Sequence, residues 1–456
     1  MPDKRFIVAF EIGSSKIKGA VGTVDKSGTL TVVAVEEEPL TESVRYGCIR
    51  KVPDVSDRIL SITSKLEQHP AIAPGRIKGA YVPVSGITLR SASTQIIQRF
   101  GTETEITKEV INHLKDQARA KAPEDRDVVA VMTRGYVVDT LPQNNPEGIF
   151  GHEIKADMSL IYCRPQIIGN LNRVFSERLP LTINGSIPLP LAQAALVLND
   201  DEKNLGVMLV DFGAETTTVC IYKKETFRYL ATIPMGSRNI TRDLTSLNFT
   251  ERRAEEIKKV CGNVAPDYNP AGQTFEGLDT TQINNIISER AGEIIANILA
   301  QINYANMKAS DLPGGIVLVG GGANLKGFIS LLASHSGMKV RRGIPLGPIK
   351  KSGVSIKETD STDIISMLMV AANYPEKICI EFPAPVIVNQ DITRVQVDAA
   401  APTQPMGVET EGPAEPDPHE IKKPKKKSFI DQIFAKVQSI LEDPSDVLEE
   451  DDNNNN

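Results

Sequence analysis

Two short runs in this sequence set a carboxylate two residues before a glycine and follow it with hydroxyls. They are Glu11-Ile-Gly-Ser-Ser-Lys16 and Asp211-Phe-Gly-Ala-Glu-Thr-Thr217. Apolar runs lie on both sides of each, Ile7–Phe10 with Ile17–Val21 and Val207–Val210 with Val219–Tyr222. Each therefore reads as a β-hairpin whose turn is suited to lie beside a phosphate chain. Glycine lets main-chain N–H groups come close to phosphate oxygens, and the hydroxyls add donors. A carboxylate at the strand end is placed to hold a hydrated Mg²⁺. Two such turns in one chain point to a duplicated domain that grips one nucleotide from both sides. A third element, Ile316-Val-Leu-Val-Gly-Gly-Gly-Ala-Asn-Leu325, is a buried strand running into three glycines and a helix. That arrangement lets backbone pack flat against a base or phosphate.

Composition sets the frame for these motifs. The chain has 456 residues, 41% hydrophobic and 24% charged, an ordinary balance for a soluble protein of two to four domains. A net charge of -7 argues against nucleic acid as a partner. Cys48, Cys163, Cys220, Cys261 and Cys379 show no metal-ligand spacing, and the expectation is buried free thiols in a reducing cytoplasm. The N-terminus enters a strand directly, so no signal peptide is expected. No apolar run approaches the roughly 20 residues that span a bilayer.

Strands and helices alternate along most of the chain, as α/β layers require. The expected elements include strands at 88–100, 128–133 and 157–163 and helices at 108–122, 166–178, 239–247, 251–260, 280–306 and 325–335. Residues 141–148 read as a turn-rich loop. Beyond about residue 397 prolines and small residues replace large apolar ones, the composition of a disordered linker. Lys422, Lys423, Lys425, Lys426 and Lys427 follow, then an apolar-rich segment and an acidic, Asn-ended tail.

On the three glycine motifs taken together, the chain resembles the actin-like ATP-binding superfamily, which includes actin, heat-shock 70 chaperones and sugar kinases. Within it, the chain is most similar to the FtsA family of bacterial cell-division proteins. The runs Arg134-Gly-Tyr-Val-Val-Asp139, Pro146-Glu-Gly-Ile-Phe-Gly151 and Asp200-Asp-Glu-Lys-Asn-Leu-Gly-Val207 carry that likeness. The resemblance implies an α/β, ribonuclease H-like fold: duplicated domains around a nucleotide cleft, with an extra inserted subdomain. It implies subdomain 1A at 1–85 with 166–200 and about 365–388, and inserted subdomain 1C at 86–165. Subdomain 2A would take 205–235 and 305–364, and 2B 236–304, followed by a linker at 389–427 and a tail at 443–456.

It also implies ATP and Mg²⁺ as ligands. Glu11 and Asp211 would hold the metal through water. Gly13, Ser14, Ser15, Lys16, Gly213, Ala214, Glu215, Thr216 and Thr217 would take the phosphates. Gly236, Gly320, Gly321, Gly322 and Asn324 would take the rest of the nucleotide. Glu255 and Lys258 would reach the ribose, although an exposed salt-bridged helix face is the commoner fate of such a pair. Gln193 is either a water-orienting residue for hydrolysis or a helix residue with no such role. Many relatives carry Gly-Gly-Gly-Thr at the second hairpin, where this chain has Gly213-Ala-Glu-Thr216. A glutamate there would approach the metal or repel a terminal phosphate, so hydrolysis is expected to be slow at most. Implied partners are the tail of the tubulin-like protein FtsZ near residues 236–300, further copies of the chain in a polymer, and later division proteins.

The segment Ser428–Leu441 is the second functional signal. At 100° per residue, Phe429, Ile430, Ile433, Phe434, Val437, Ile440 and Leu441 fall within an arc of about 140°. An amphipathic helix preceded by lysines suits the interface of an anionic membrane. The other reading is a helix docked on a partner. Three functions compete: a polymer-forming adaptor at the cytoplasmic face of the inner membrane, concentrated at the division site; a small-molecule kinase; and a chaperone. A tethered membrane helix fits only the first.

Overall fold

The computed structural model describes residues 5–25, 29–354 and 357–383. The segment 428–442, its linker and the acidic tail lie outside the described residues. In chain order the main strands are β1 (Arg5–Ile12), β2 (Lys16–Val24), β3 (Leu30–Pro39), β4 (Gly79–Val84), β5 (Arg90–Glu105), β6 (Asp127–Val138) and β7 (Leu141–Gln143). They continue with β8 (Phe150–Cys163), β9 (Thr182–Pro188), β10 (Val207–Phe212), β11 (Thr217–Lys223), β12 (Thr226–Ile233), β13 (Ile316–Val319) and β14 (Val340–Arg342). The helices are α1 (Val52–Gln68), α2 (Lys108–Arg119), α3 (Pro165–Asn172), α4 (Leu189–Val197), α5 (Asp200–Leu205), α6 (Ser237–Leu244), α7 (Glu251–Cys261), α8 (Thr280–Tyr304), α9 (Phe328–Ser336) and α10 (Thr362–Ala372).

Ile7, Val8, Ala9 and Phe10 are all fully buried, so β1 is covered on both faces, as a central strand of an α/β layer must be. Among the described residues one sheet runs β3-β2-β1-β4-β9, with Lys350–Lys351 added beside β3. A second contains the run β12-β11-β10-β13-β14. The two runs share order and direction: each has an antiparallel hairpin, a third antiparallel strand outside it, and two parallel strands on the other side. The sheet topology thus displays the duplication that the two motifs imply. α10 returns to the first half, where it packs on β1 and α4.

The second sheet extends past β12 into β5, β8, β6 and β7, joined by the pair Ala231–Arg90. Ile96, Leu114, Ala118, Tyr136, Ile154 and Met158 give these strands and α2 a small core of their own. In the second half, Ile283, Ile287, Ala291, Ile294, Ile298 and Ile302 form the buried stripe of α8, spaced three and four residues apart.

Several elements depart from sequence expectation. The expected loop at 141–148 includes the edge strand β7, paired with β6. The helix expected from Leu325 starts only at Phe328. Gly327 has a φ of +80°, and a Cβ there would lie 2.0 Å from the Ala265 nitrogen, so the helix cannot run through it. The helix expected over 166–178 turns into a π-helical stretch at Arg173–Arg178. All five cysteines are free thiols, with Cys163, Cys220 and Cys379 buried and Cys48 and Cys261 only partly so.

Candidate functional site

The two hairpin turns are built alike. The Gly13 N–H donates to Lys16 O at 3.0 Å, and the Gly213 N–H donates to Thr216 O at 2.9 Å. In both, a Cβ on the glycine would press on that same carbonyl, at 3.1 Å and 2.9 Å. The second turn is buttressed by the start of α6, where Ser237 N–H donates to Gly213 O and Arg238 N–H to Ala214 O. Gly236 makes this approach possible, because a Cβ there would lie 2.4 Å from Ala214 O.

Behind the turns the structure gathers more carboxylate than sequence reading found. Asp211 ends β10 in the second half, and Asp363 opens α10 in the first. Gln193, fully buried on α4, donates from its amide nitrogen to Asp211 Oδ2 at 3.0 Å and to Asp363 Oδ1 at 2.7 Å. Its carbonyl oxygen is buried without a hydrogen-bond partner. Glu11 feels the negative charge of both aspartates. Burial first, then Asp363, raises the Glu11 carboxyl to about 8, while Lys18 and Lys16 oppose the shift. Burial and then Asp363 lift Asp211 to about 7 against the Gln193 hydrogen bond. Asp363 is the residue sequence reading missed. Its partner Gln193 lies 170 residues away, and no local pattern announces the pairing.

The other expected residues fall around this centre in distinct roles. Ser14 is buried and its Oγ accepts from Gly47 N–H, whereas Ser15 is exposed and Lys16 pairs with Glu37 at 2.7 Å. Thr217 is buried and donates to Met235 O. Glu215 corrects the expectation of a carboxylate facing metal or phosphate. It is 1% exposed and enclosed by Arg45, Arg238 and Arg242. Lys258 is buried, bonded to Ser237 O and Thr241 Oγ1 and paired with Glu255 at 2.6 Å, so it joins α7 to α6. Asn324 donates to Asp360 and accepts from Arg342, linking the glycine turn to the segment before α10.

The three glycines after β13 differ. Gly320 has a φ of +88° and faces Asp211 and Phe212, Gly322 lies on the Phe212 ring, and a Cβ on Gly321 would meet nothing within 4 Å. Gly321 is exposed, so its open side faces solvent.

The raised carboxyls give a signed pH prediction. Unfolded, Glu11 and Asp211 titrate near 4.5 and 3.8, whereas the fold holds their protons to about 8 and about 7. Between those values the unfolded chain binds fewer protons, so the nucleotide-free protein loses stability as pH rises from 5 to 8. One such group contributes a slope of up to about 1.4 kcal/mol per pH unit. Glu11→Gln should flatten the fall. Melting temperature against pH, read as the difference between variant and parent, checks it, since the lowered carboxyls of Glu38 and Glu255 change stability only at pH values below about 4.5. Parallel curves would refute it.

The comparisons with known proteins agree with this geometry. A family model described as cell division protein FtsA matches residues 208–364, and one described as the SHS2 domain inserted in FtsA matches residues 86–162. The cell division protein FtsA of Porphyromonas gingivalis is 28% identical over 368 residues, 78% of this chain and 74% of that protein. The FtsA of Bacillus subtilis is 28% identical over 345 residues, 73% of this chain and 77% of that protein. Among solved structures, the PilM-PilN type IV pilus biogenesis complex aligns with a TM-score of 0.57 and 14% identity, covering 81% of this chain and 99% of that one. The duplicated sheets with a nucleotide-type turn in each half define an actin-like fold, interrupted by an SHS2 insertion. The two FtsA models together span more than half of the sequence, and the chain belongs to the FtsA family of cell-division proteins.

Proposed function

We propose that the chain binds ATP with Mg²⁺ between its two halves, polymerises, and ties a cytoplasmic FtsZ ring to the inner membrane while recruiting later division proteins. The observation that carries the nucleotide reading is the pair of matched glycine turns converging on one half-buried carboxylate centre. Those carboxylates fit a divalent cation. Asp363 raises the carboxyls of both Glu11 and Asp211, and the buried Gln193 oxygen beside the two aspartates has no partner. Among the described residues no three His, Cys, Asp or Glu side chains are arranged to hold a metal directly, so Glu11, Asp211 and Asp363 would hold it through its waters. Bound there, Mg²⁺ supplies positive charge against the phosphates. The Gln193 oxygen is free to accept a hydrogen bond from water, while its nitrogen is held by both aspartates. Gly13–Lys16 and Gly213, Ala214, Thr216 and Thr217 supply main-chain donors, and Gly321 leaves room for adenosine. Glu255, whose side chain is one-third exposed, is the better placed of the α7 pair to meet a ribose.

Membrane attachment rests on Phe429–Leu441, since among the described residues no helix is long and apolar enough to cross a membrane. Co-sedimentation with anionic liposomes, with and without ATP, tests it. The full chain should pellet, and a truncation at Lys422 should stay in solution. Phe434→Glu puts a charge in the apolar arc, where burial costs several kcal/mol, and should release the protein at any salt concentration. Replacing the five lysines should weaken binding only on anionic vesicles and less so as salt rises. Continued pelleting of Phe434→Glu would overturn the anchor.

A further inference from the structure

At the tip of the second hairpin, Glu215 is all but sealed from solvent. One carboxylate oxygen accepts from Arg238 at 2.8 Å and Arg242 at 3.4 Å, with Arg45 Nε at 3.5 Å. The other accepts the Tyr46 N–H at 2.7 Å. Arg45 and Tyr46 belong to the first half, whereas Arg238 in the first turn of α6 and Arg242 in its last belong to the second. Arg238 reaches back across the same gap, donating to Ser14 O at 3.3 Å and Thr41 O at 3.2 Å. The 40–47 segment grips the first turn as well, through Leu40 N–H to Ser15 O and Gly47 N–H to Ser14 Oγ. Together these contacts join the tip of one hairpin to the tip of the other.

From this we infer that Glu215 and Arg238 form a strap across the phosphate end of the cleft, and that it governs how fast the two halves part; the inference rests on the nucleotide reading. Glu215 and Arg238 are positioning residues. Separating the halves pulls Tyr46 N–H and Arg45 away from a buried carboxylate and takes Arg238 off two carbonyls. Breaking a buried, hydrogen-bonded charge pair without replacement is strongly unfavourable. Opening is therefore held back whichever way the ligand is moving, inward or outward. Glu215, where glycine would leave the turn bare, makes the junction a slow gate.

Stopped-flow fluorescence with a labelled ATP analogue and Mg²⁺ tests this on the full chain. Glu215→Gln keeps the shape and the acceptor for Tyr46 N–H but removes the charge. Association and release should both accelerate by roughly tenfold or more, while the equilibrium constant moves less than about threefold, because the strap touches the gate and not the ligand. Arg238→Met leaves Glu215 with Arg45, Arg242 and Tyr46 N–H, so it should fold, and it should show the same paired acceleration. The double variant should be little faster than either single one, since both cut one strap. Release at the parental rate in both single variants overturns the strap. So does faster release with association unchanged and affinity lost in proportion, which marks a direct ligand contact. A parent that takes no nucleotide at all removes the nucleotide reading and this inference with it, whereas normal binding with unaltered rates removes only the strap.

Discussion

Asp211→Asn is expected to weaken Mg-nucleotide binding by about two orders of magnitude or more while leaving the nucleotide-free protein at least as stable as the parent. The two halves of that expectation have one cause. Asp211 is half-buried, close to Asp363 and Glu11, and desolvation followed by Asp363 holds its carboxyl up to about 7. In the empty protein near neutral pH, a negative charge at this position is therefore a burden. Asparagine keeps the size and can still accept from the Gln193 nitrogen that now lies 3.0 Å from Oδ2. With the cation present the sign reverses, because the charge that was unfavourable becomes the one that holds the metal's waters. Calorimetric titration of Mg-ATP and a melting curve of the empty variant read the two effects separately. Unchanged affinity would sink the two-hairpin site. Lost affinity with a much lower melting temperature would mean that Asp211 serves the fold instead.

The chemistry of this site was legible where it is local. A hairpin with its carboxylate, glycine and hydroxyls is written within a dozen residues, so Glu11, Gly13, Asp211 and Gly213 could be read in order, and the repeat of that pattern foretold the duplicated sheets. What escaped was whatever depends on distant partners. β4 pairs in parallel with β9 about a hundred residues later, and parallel strands carry no hairpin turn to announce them. α10 is buried nearly all round, so Thr362–Ala372 shows no polar face and no helical stripe. With that helix unread, Asp363 went unread too. Glu215 was noticed and assigned the wrong neighbours: its type signalled something unusual, but only the folded chain shows that Arg45, Arg238 and Arg242 surround it. Asn324 and Lys258 are engaged by the protein itself, Lys258 in the salt bridge to Glu255 that was the other reading of that pair.

The glycine turn after β13 separates folding from binding. Gly320 sits at a φ of +88°, and a Cβ there would come within 2.4 Å of Asp211 Oδ1 and 2.5 Å of Phe212 O. With ψ at 164° this backbone lies in a region essentially confined to glycine and costs about 1–3 kcal/mol for any other residue, and the contact with a main-chain carbonyl cannot be relieved by turning a side chain. Gly320→Ala is therefore expected to destabilise the protein by about 3 kcal/mol or more, with a melting temperature lowered by several degrees and nucleotide affinity lost with it. Its neighbour should behave oppositely. A Cβ on Gly321 meets nothing within 4 Å, so Gly321→Val should fold like the parent and yet exclude nucleotide by filling the space the adenosine needs. Thermal melting and calorimetry on the two variants distinguish the roles. If Gly320→Ala melts with the parent, the strained turn is not what fixes Asp211 in place. If Gly321→Val still binds ATP, the adenosine lies elsewhere and this turn is only a strand-to-helix connection.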